Sequence, residues 1–427
     1  PPRSTLFPYT TLFRSLTGGL GPHRRKGDRM SNLSIKALTE AHVMNTYGRL
    51  PIAIVRGEGA RLWDADGREY LDFFAGIAVC NLGHCHPKVT EAVCRQAATL
   101  VHVSNLYHIE TQAELAMRLA AHSFADRWFF CNGGAEANEA AIKLARRYWA
   151  VAQGTPRPGV VTANHSFHGR TLCTLTATGQ PKYQEGFEPL VPGFTYVDYD
   201  NLDALEAALN PSVGLVLLEP VQGEGGVRVP SPDYLRGVRA LCDRHNVLLA
   251  LDEVQTGLGR TGRLFCHEHS GITPDIMTLA KGLGNGVPIG AMGCTEKVSA
   301  GFAPGSHACT FGGNPLSAAA GVATMDALTE PGFIETAARR GDYLHAALRE
   351  LAARHPGVRE VRGMGLMAGV ECADAVGKLV EAMRDAGVIC GPAGPNVLRF
   401  LPPLVVTEAD IDTVTAALDR CLGDLGW

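Results

Sequence analysis

The sequence predicts an α/β protein built around a mostly parallel sheet. Two short apolar runs, VLLAL at 247–251 and IMTLA at 276–280, lack the alternation of a half-exposed strand and read as strands covered on both faces. Each gives way at its carboxyl end to charged, polar or glycine residues, DEVQTGLG in one case and KGLGNG in the other, and VGLVLL at 213–218 repeats the pattern with EPVQGEGG. In open α/β sheets ligands sit beyond the carboxyl ends of the strands, so Asp252 and Lys281 are expected to face one crevice. A lysine, an acid and a flexible glycine-rich loop suit imine chemistry on an amine or carbonyl. A surface Asp and a surface Lys at two strand ends would look the same at this level.

Length and composition bound the rest. A chain of 427 residues exceeds one ordinary core, which suggests one large domain with smaller lobes. With 46% hydrophobic and 19% charged residues it has the composition of a soluble globular protein, and a net charge of −4 gives no argument for nucleic acid or membrane. No stretch of about eighteen clean apolar residues is present. The twelve cysteines are scattered and none forms C-x-x-C, so a reducing, cytoplasmic setting is expected rather than a disulfide framework. PPRSTLFPYTTLFRS at 1–15 resembles the translation of a sequencing-library adapter and lacks the basic start and apolar core of a signal sequence. Residues 1–30 are expected to be a disordered, functionless leader, with Met30 as the natural start.

In chain order, DADG at 64–67 between ARLW and REYLDF is a hairpin signal. Asn81, His84 and His86 stand close together, but H-x-H before a proline without acidic neighbours is a weak metal signal, and no metal is expected. Helices are predicted over 87–99 and 110–123, then a strand RWFFC at 127–131. NGGAEANEAAIKLARRYW at 132–149 is a glycine turn running into an amphipathic helix, whose first amides make a ready anion site. Further on come a helix over 232–245, a long helix through 331–353, a strand-like stretch 361–371, a helix over 378–387 stopped by Gly387, a strand in 396–404, and a helix over 407–422 begun by Thr407.

LLALDEVQTGLGRTG and TLAKGLGNGVPIGA, at 248–262 and 278–291, resemble the signature of the class III (subgroup II) aminotransferases, and the likeness extends over most of the chain from about residue 40. Within that group the chain is most similar to the acetylornithine type. The resemblance implies the fold of fold type I pyridoxal-phosphate enzymes: an N-terminal arm over 31–83 contributing to the small domain, a large cofactor-binding domain over 84–328 and a C-terminal small domain over 329–427. It implies pyridoxal 5′-phosphate as cofactor and a homodimer with shared active sites.

Site roles follow residue by residue from the same resemblance. Gly133, Gly134 and Ala135 stand where the family binds the cofactor phosphate with Ser-Gly-Ala, so the serine hydroxyl is missing here. Phe167 resembles the aromatic stacked on the pyridine ring, and Arg170 the arginine that clamps the substrate carboxylate, while His168 is expected to be structural. Glu219 resembles an acid near the cofactor. Glu224 resembles the acid that pairs with a C-terminal arginine, here Arg399, and releases it for the α-carboxylate of glutamate. Asp252 matches the carboxylate at the ring nitrogen, Gln255 the partner of the ring hydroxyl, and Lys281 the lysine that condenses with the cofactor and then moves the proton. Tyr47 matches a tyrosine that touches substrate. Ala78 and Val79 match a loop serving the partner's site, and Thr310 a threonine reaching the partner's phosphate. The implied reaction is transamination of N-acetyl-L-ornithine with 2-oxoglutarate, in arginine biosynthesis. Ornithine, succinylornithine, succinyl-diaminopimelate and 4-aminobutyrate are alternative donors. An aminomutase on this fold, or a catalytically silent member, are further alternatives.

Overall fold

Residues 30–427 are described by a computed structural model; the predicted leader at 1–30 lies, apart from Met30, outside the described residues. The chain forms two compact units, residues 56–62 with 69–427, and up to residue 55 with 63–68.

The larger unit is organised on a seven-stranded sheet. Its strands are β1 (Arg127–Cys131), β2 (Gly159–Ala163), β3 (Phe194–Val197), β4 (Val213–Leu218), β5 (Leu248–Asp252), β6 (Ile276–Leu279) and β7 (Gly290–Cys294), in the order β1-β7-β6-β5-β4-β2-β3. Only β7 runs against its neighbours; β2 through β6 pair in parallel. The all-apolar sequence of the central strands has a direct cause. Alternate residues point to opposite faces, and here both faces are covered. Leu215, Leu217, Leu248 and Ala250 pack with Ala140, Ala141 and Leu144 of helix α1 (Gly134–Arg147), while Val216, Leu218, Leu249 and Leu251 pack with Val238 and Leu241 of helix α2 (Tyr234–His245). A polar residue in β4 or β5 short of its end would be buried without a partner.

Near the C-terminus β8 (Val358–Met364), β9 (Met367–Cys372), β10 (Gly391–Pro392) and β11 (Val397–Phe400) form a second sheet in the order β8-β9-β11-β10. The stretch expected as one strand over 361–371 is a hairpin. Gly365, at φ +55, makes the reversal, and a Cβ there would strike Thr261 backbone at 2.4 Å. The turn was hidden because MGLM at 364–367, where the chain reverses, carries no polar residue. Helix α3 (Glu408–Leu425) begins with Thr407 and Asp410 bonding reciprocally to each other's backbone amides.

In the smaller unit Asn32 organises the chain. Its side chain accepts from the Ala53 amide at 2.9 Å and donates to Asp64 at 2.9 Å, and its own amide donates to Asp66 at 3.0 Å. The expected DADG turn is present, with Gly67 at φ +90. All twelve cysteines are free thiols. Among the described residues, no helix is long and apolar enough to cross a membrane, and no cluster of three or more potential metal ligands occurs. Asn81 and His84 have structural partners instead: Asn81 takes a bond from the buried Arg260 at 2.6 Å, and His84 bonds Asp72 at 2.6 Å.

Candidate active site

A cavity of about 450 Å³ opens beyond the carboxyl ends of β4, β5 and β6, and Asp252 and Lys281 both line it. The two acids that end β5 part company. Asp252 turns into the cavity, whereas Glu253 turns away to accept from the Cys266 and His267 amides, both at 2.8 Å.

Asp252 is held from three sides. Oδ2 accepts from Asn138 Nδ2 at 2.7 Å and contacts His168 Nδ1 at 2.8 Å, while Oδ1 accepts from the Val254 amide at 3.0 Å. Asn138 is itself fixed by Thr278, whose hydroxyl donates to its Oδ1 at 2.7 Å. A carboxylate with this many donors is rotationally locked and stays available to hold a proton on a ring nitrogen.

Lys281 follows β6 with φ +39, a backbone geometry rare for a residue with a side chain. Burial pulls its amine down from 10.5 to about 8, with Glu224, Asp252 and Glu219 opposing that shift and Arg399 adding to it. Neutral amine is therefore accessible near physiological pH, as a condensing nucleophile and mobile base require.

Gly133 caps helix α1 in extended conformation, and its neighbours Gly134 and Ala135 present first-turn amides that no carbonyl of the helix can reach. The chain passes close here, since a Cβ on Gly134 would lie 2.8 Å from Val254 Cγ1. Glycine thus lets Val254 pack against the helix start, while the first-turn amides stay open as an anion site beside the cavity.

Two arginines serve the cavity in different states. Arg399, on β11, is buried; its Nη1 donates to Glu224 Oε1 at 2.6 Å and to Gln255 Oε1 at 3.2 Å, and Nη2 donates to the Pro392 carbonyl at 3.3 Å. Burial pushes the Glu224 carboxyl up, but Arg399, helped by Lys281 and Gln255, outweighs it and holds the pKa below the usual value. Arg170 lies exposed, its guanidinium 4.0 Å from the Tyr183 ring centroid and 5.6 Å from that of Phe167. Stacking aims its fork without using its hydrogen bonds.

Comparison with known proteins settles the family. The sequence profile described as aminotransferase class-III matches residues 43–422. The chain is 53% identical over 394 residues to the acetylornithine aminotransferase of Thermosynechococcus vestitus, covering 90% of this chain and 95% of that one. The chain belongs to the class-III aminotransferases. It is also 46% identical over 388 residues to the acetylornithine aminotransferase of Methanocaldococcus jannaschii, covering 91% of this chain and 98% of that one. The ornithine aminotransferase of Toxoplasma gondii superimposes with a TM-score of 0.90 at 36% identity, over 93% of this chain and 96% of that one. The acetylornithine aminotransferase of Elizabethkingia anophelis does so at 0.83 and 30%, over 92% and 100%. The fold is accordingly that of the fold type I pyridoxal-phosphate-dependent aminotransferases, with large and small domains.

In this class-III aminotransferase, Gly133, Gly134, Ala135, Phe167, Arg170, Glu219, Glu224, Asp252, Gln255 and Lys281 all line one cavity, and Arg399 reaches it through Glu224 and Gln255. Val79, matched in sequence to a loop serving the partner, lines the cavity of its own chain. It is placed there by a run of positive φ from Ala75 to Ala78, which turns the loop inward. Thr310 lines a separate cavity of about 390 Å³ with Asn132 and Glu136. Tyr47 belongs to the smaller unit, is 71% exposed, and carries the Arg49 guanidinium 5.4 Å from its ring. Sequence reasoning missed Asn138 and Val254. An asparagine at a core-facing position of the alanine-rich helix start was the available signal for the first.

The residues present fit pyridoxal phosphate. The open amides at the helix start suit a phosphate. Phe167 and Val254 supply apolar surface for a ring, Asp252 a fixed acceptor, and Lys281 a buried amine of lowered pKa.

Proposed function

We propose that this enzyme moves the terminal amine of N-acetyl-L-ornithine to 2-oxoglutarate, yielding N-acetyl-L-glutamate 5-semialdehyde and L-glutamate, as a cytoplasmic homodimer serving arginine biosynthesis. The observation that carries this reading is the pairing of Arg399 with Glu224 beside an Arg170 held only by ring stacking. Acetylornithine presents one carboxylate, far from its reacting amine; Arg170 takes it, while Glu224 keeps the second guanidinium neutralised. 2-Oxoglutarate presents two carboxylates, and Glu224 then yields Arg399 to the one beside the reacting carbon. One site thereby accepts a terminal amine and an α-keto acid in turn. The names of the relatives at 46% to 53% identity support the acetylated donor.

Pyridoxal phosphate, when bound, supplies an aldehyde to carry the amino group and a ring to take up the electron pair. Gly134 and Ala135 amides would hold its phosphate, Phe167 its ring face, Asp252 a proton on its ring nitrogen, and Gln255 its ring oxygen. Lys281 Nζ takes the proton from the substrate carbon bearing the amine and returns it on the other side of the exchange. Thr310 of each chain is assigned to the phosphate site of its partner, and Tyr47 to the substrate.

A coupled assay for glutamate tests the donor, with acetylornithine, ornithine, succinylornithine and 4-aminobutyrate at equal concentration. Acetylornithine is expected to have the highest kcat/KM. A preference of more than about tenfold for free ornithine or 4-aminobutyrate, the scale on which one pocket group discriminates, would refute the donor while leaving the reaction class intact.

A further inference from the structure

Glu219 follows β4 and lines the cavity, yet none of the assignments above gives its carboxylate a task. It is 6% exposed, and each of its oxygens takes one backbone amide from a different loop. Oε2 accepts from Phe167 N at 3.0 Å and Oε1 from Gly223 N at 3.1 Å. Its own main chain is pinned as well, because the Tyr199 hydroxyl bonds the Glu219 and Pro220 carbonyls, each at 2.9 Å.

On the roles proposed above, these two loops carry groups that meet the substrate or release Arg399 to it. One carries Phe167 and Arg170, and the other is the turn whose next residue is Glu224. Gly223 leaves little slack, since a Cβ there would lie 2.2 Å from Gln255 Oε1.

We propose that Glu219 is a positioning residue whose carboxylate staples the Phe167–Arg170 loop and the Gly223–Glu224 turn to the end of β4, setting the carboxylate clamp and the charge switch with one group. The proposal rests on the roles assigned above to Arg170 and Glu224, and deepens them. A carboxylate is the suitable group because it accepts on both oxygens, and charge-assisted bonds to backbone amides are the strong kind. An amide side chain would offer one acceptor and turn a donor toward the other amide.

The staple is sensitive to pH. Burial pushes the Glu219 carboxyl up to about 7, with Asp252 adding to the rise and His168 and the two backbone amides opposing it. The titratable groups facing it are His168 on the Phe167–Arg170 loop, Asp252 at the end of β5, Lys281 after β6 and Tyr199. A raised carboxyl is ionised above about 7 and neutral below, so the staple is tight on the alkaline side and loosens as pH falls through that value.

Hydrogen exchange on the wild-type holoenzyme tests this directly. The Phe167 and Gly223 amides are expected to lose protection together, by about tenfold after correction for intrinsic rates, between about pH 8 and pH 6, where a group of pKa about 7 goes from mostly ionised to mostly neutral. In Glu219→Gln the KM for donor and for 2-oxoglutarate should both rise about tenfold at pH 8, as expected for one lost charge-assisted bond. The two KM values should no longer rise as pH falls, and kcat should change much less. Protection in the wild type that is independent of pH overturns the staple, even if the variant fails to fold. A Glu219→Gln effect confined to kcat would also overturn it, because that signature belongs to a proton-transfer group. Loss of all transamination in the wild type would refute the functional reading while leaving the exchange result to stand or fall alone.

Discussion

Gly133 and Gly134 are adjacent, yet the structure predicts opposite outcomes for one substitution. Gly133 caps helix α1 at φ −173, an extended conformation open to any residue, and a Cβ there meets nothing within 4 Å. A serine at this position places a hydroxyl beside the open helix amides. One added hydrogen bond to a phosphate dianion is worth about 1.5–3 kcal/mol, and ordering the new side chain offsets part of it. Gly133→Ser is therefore expected to lower the dissociation constant for pyridoxal phosphate by about tenfold, or ~1.4 kcal/mol, and to change the unfolding free energy of the cofactor-free protein by no more than ~1 kcal/mol. At Gly134 the new Cβ lies 2.8 Å from Val254 Cγ1 and 3.1 Å from Cγ2. Gly134→Ser must drive Val254 into the cavity at a cost of about 1–3 kcal/mol, weakening cofactor binding about tenfold or more. Titration of the cofactor-free enzyme, followed by the visible absorbance of the bound cofactor, measures both. If Gly133→Ser binds no tighter than wild type, or Gly134→Ser binds as well, the assignment of this turn to the phosphate is wrong.

Other outcomes follow from the same geometry. Since burial brings the Lys281 amine down to about 8, it is about one-tenth neutral at pH 7 and about nine-tenths neutral at pH 9. The rate at which cofactor-free enzyme takes up pyridoxal phosphate should climb through that window and level off, and a midpoint near 10.5 would contradict the burial argument. Arg170→Ala should raise the KM for acetylornithine roughly tenfold to hundredfold through loss of a charged clamp. Arg399→Ala, which leaves the half-buried Glu224 without its ion-pair partner, should act mainly on the 2-oxoglutarate half-reaction. Single-turnover measurements of each half-reaction separate the two, and equal effects on both would undo the division of roles.

Much of the site was legible because its parts are local in sequence. A glycine turn entering an amphipathic helix is a ready anion site once the motifs around it agree, and Asp252 and Lys281 sit at the ends of apolar runs that read as buried strands. The hairpin at Gly365 was not legible, because no polar residue stands at the turn itself and the reversal depends on a close approach to Thr261. That Val79 lines the cavity of its own chain was not legible either, because a motif carries no geometry and the positive-φ run before it sets the path of the loop. Asn138 carries chemistry only through Asp252, which lies 114 residues away.

The sequence by itself determined the fold class from its apolar runs and the reaction family from its motifs' resemblance, and it named residues that line one cavity. Only the tertiary structure decided how those residues are charged and held. Lys281 owes its lowered pKa to burial, Arg399 its neutralised state to Glu224, and Asp252 its orientation to His168 and Asn138. Burial and pairing are properties of groups brought together from distant strands, and no local pattern encodes them.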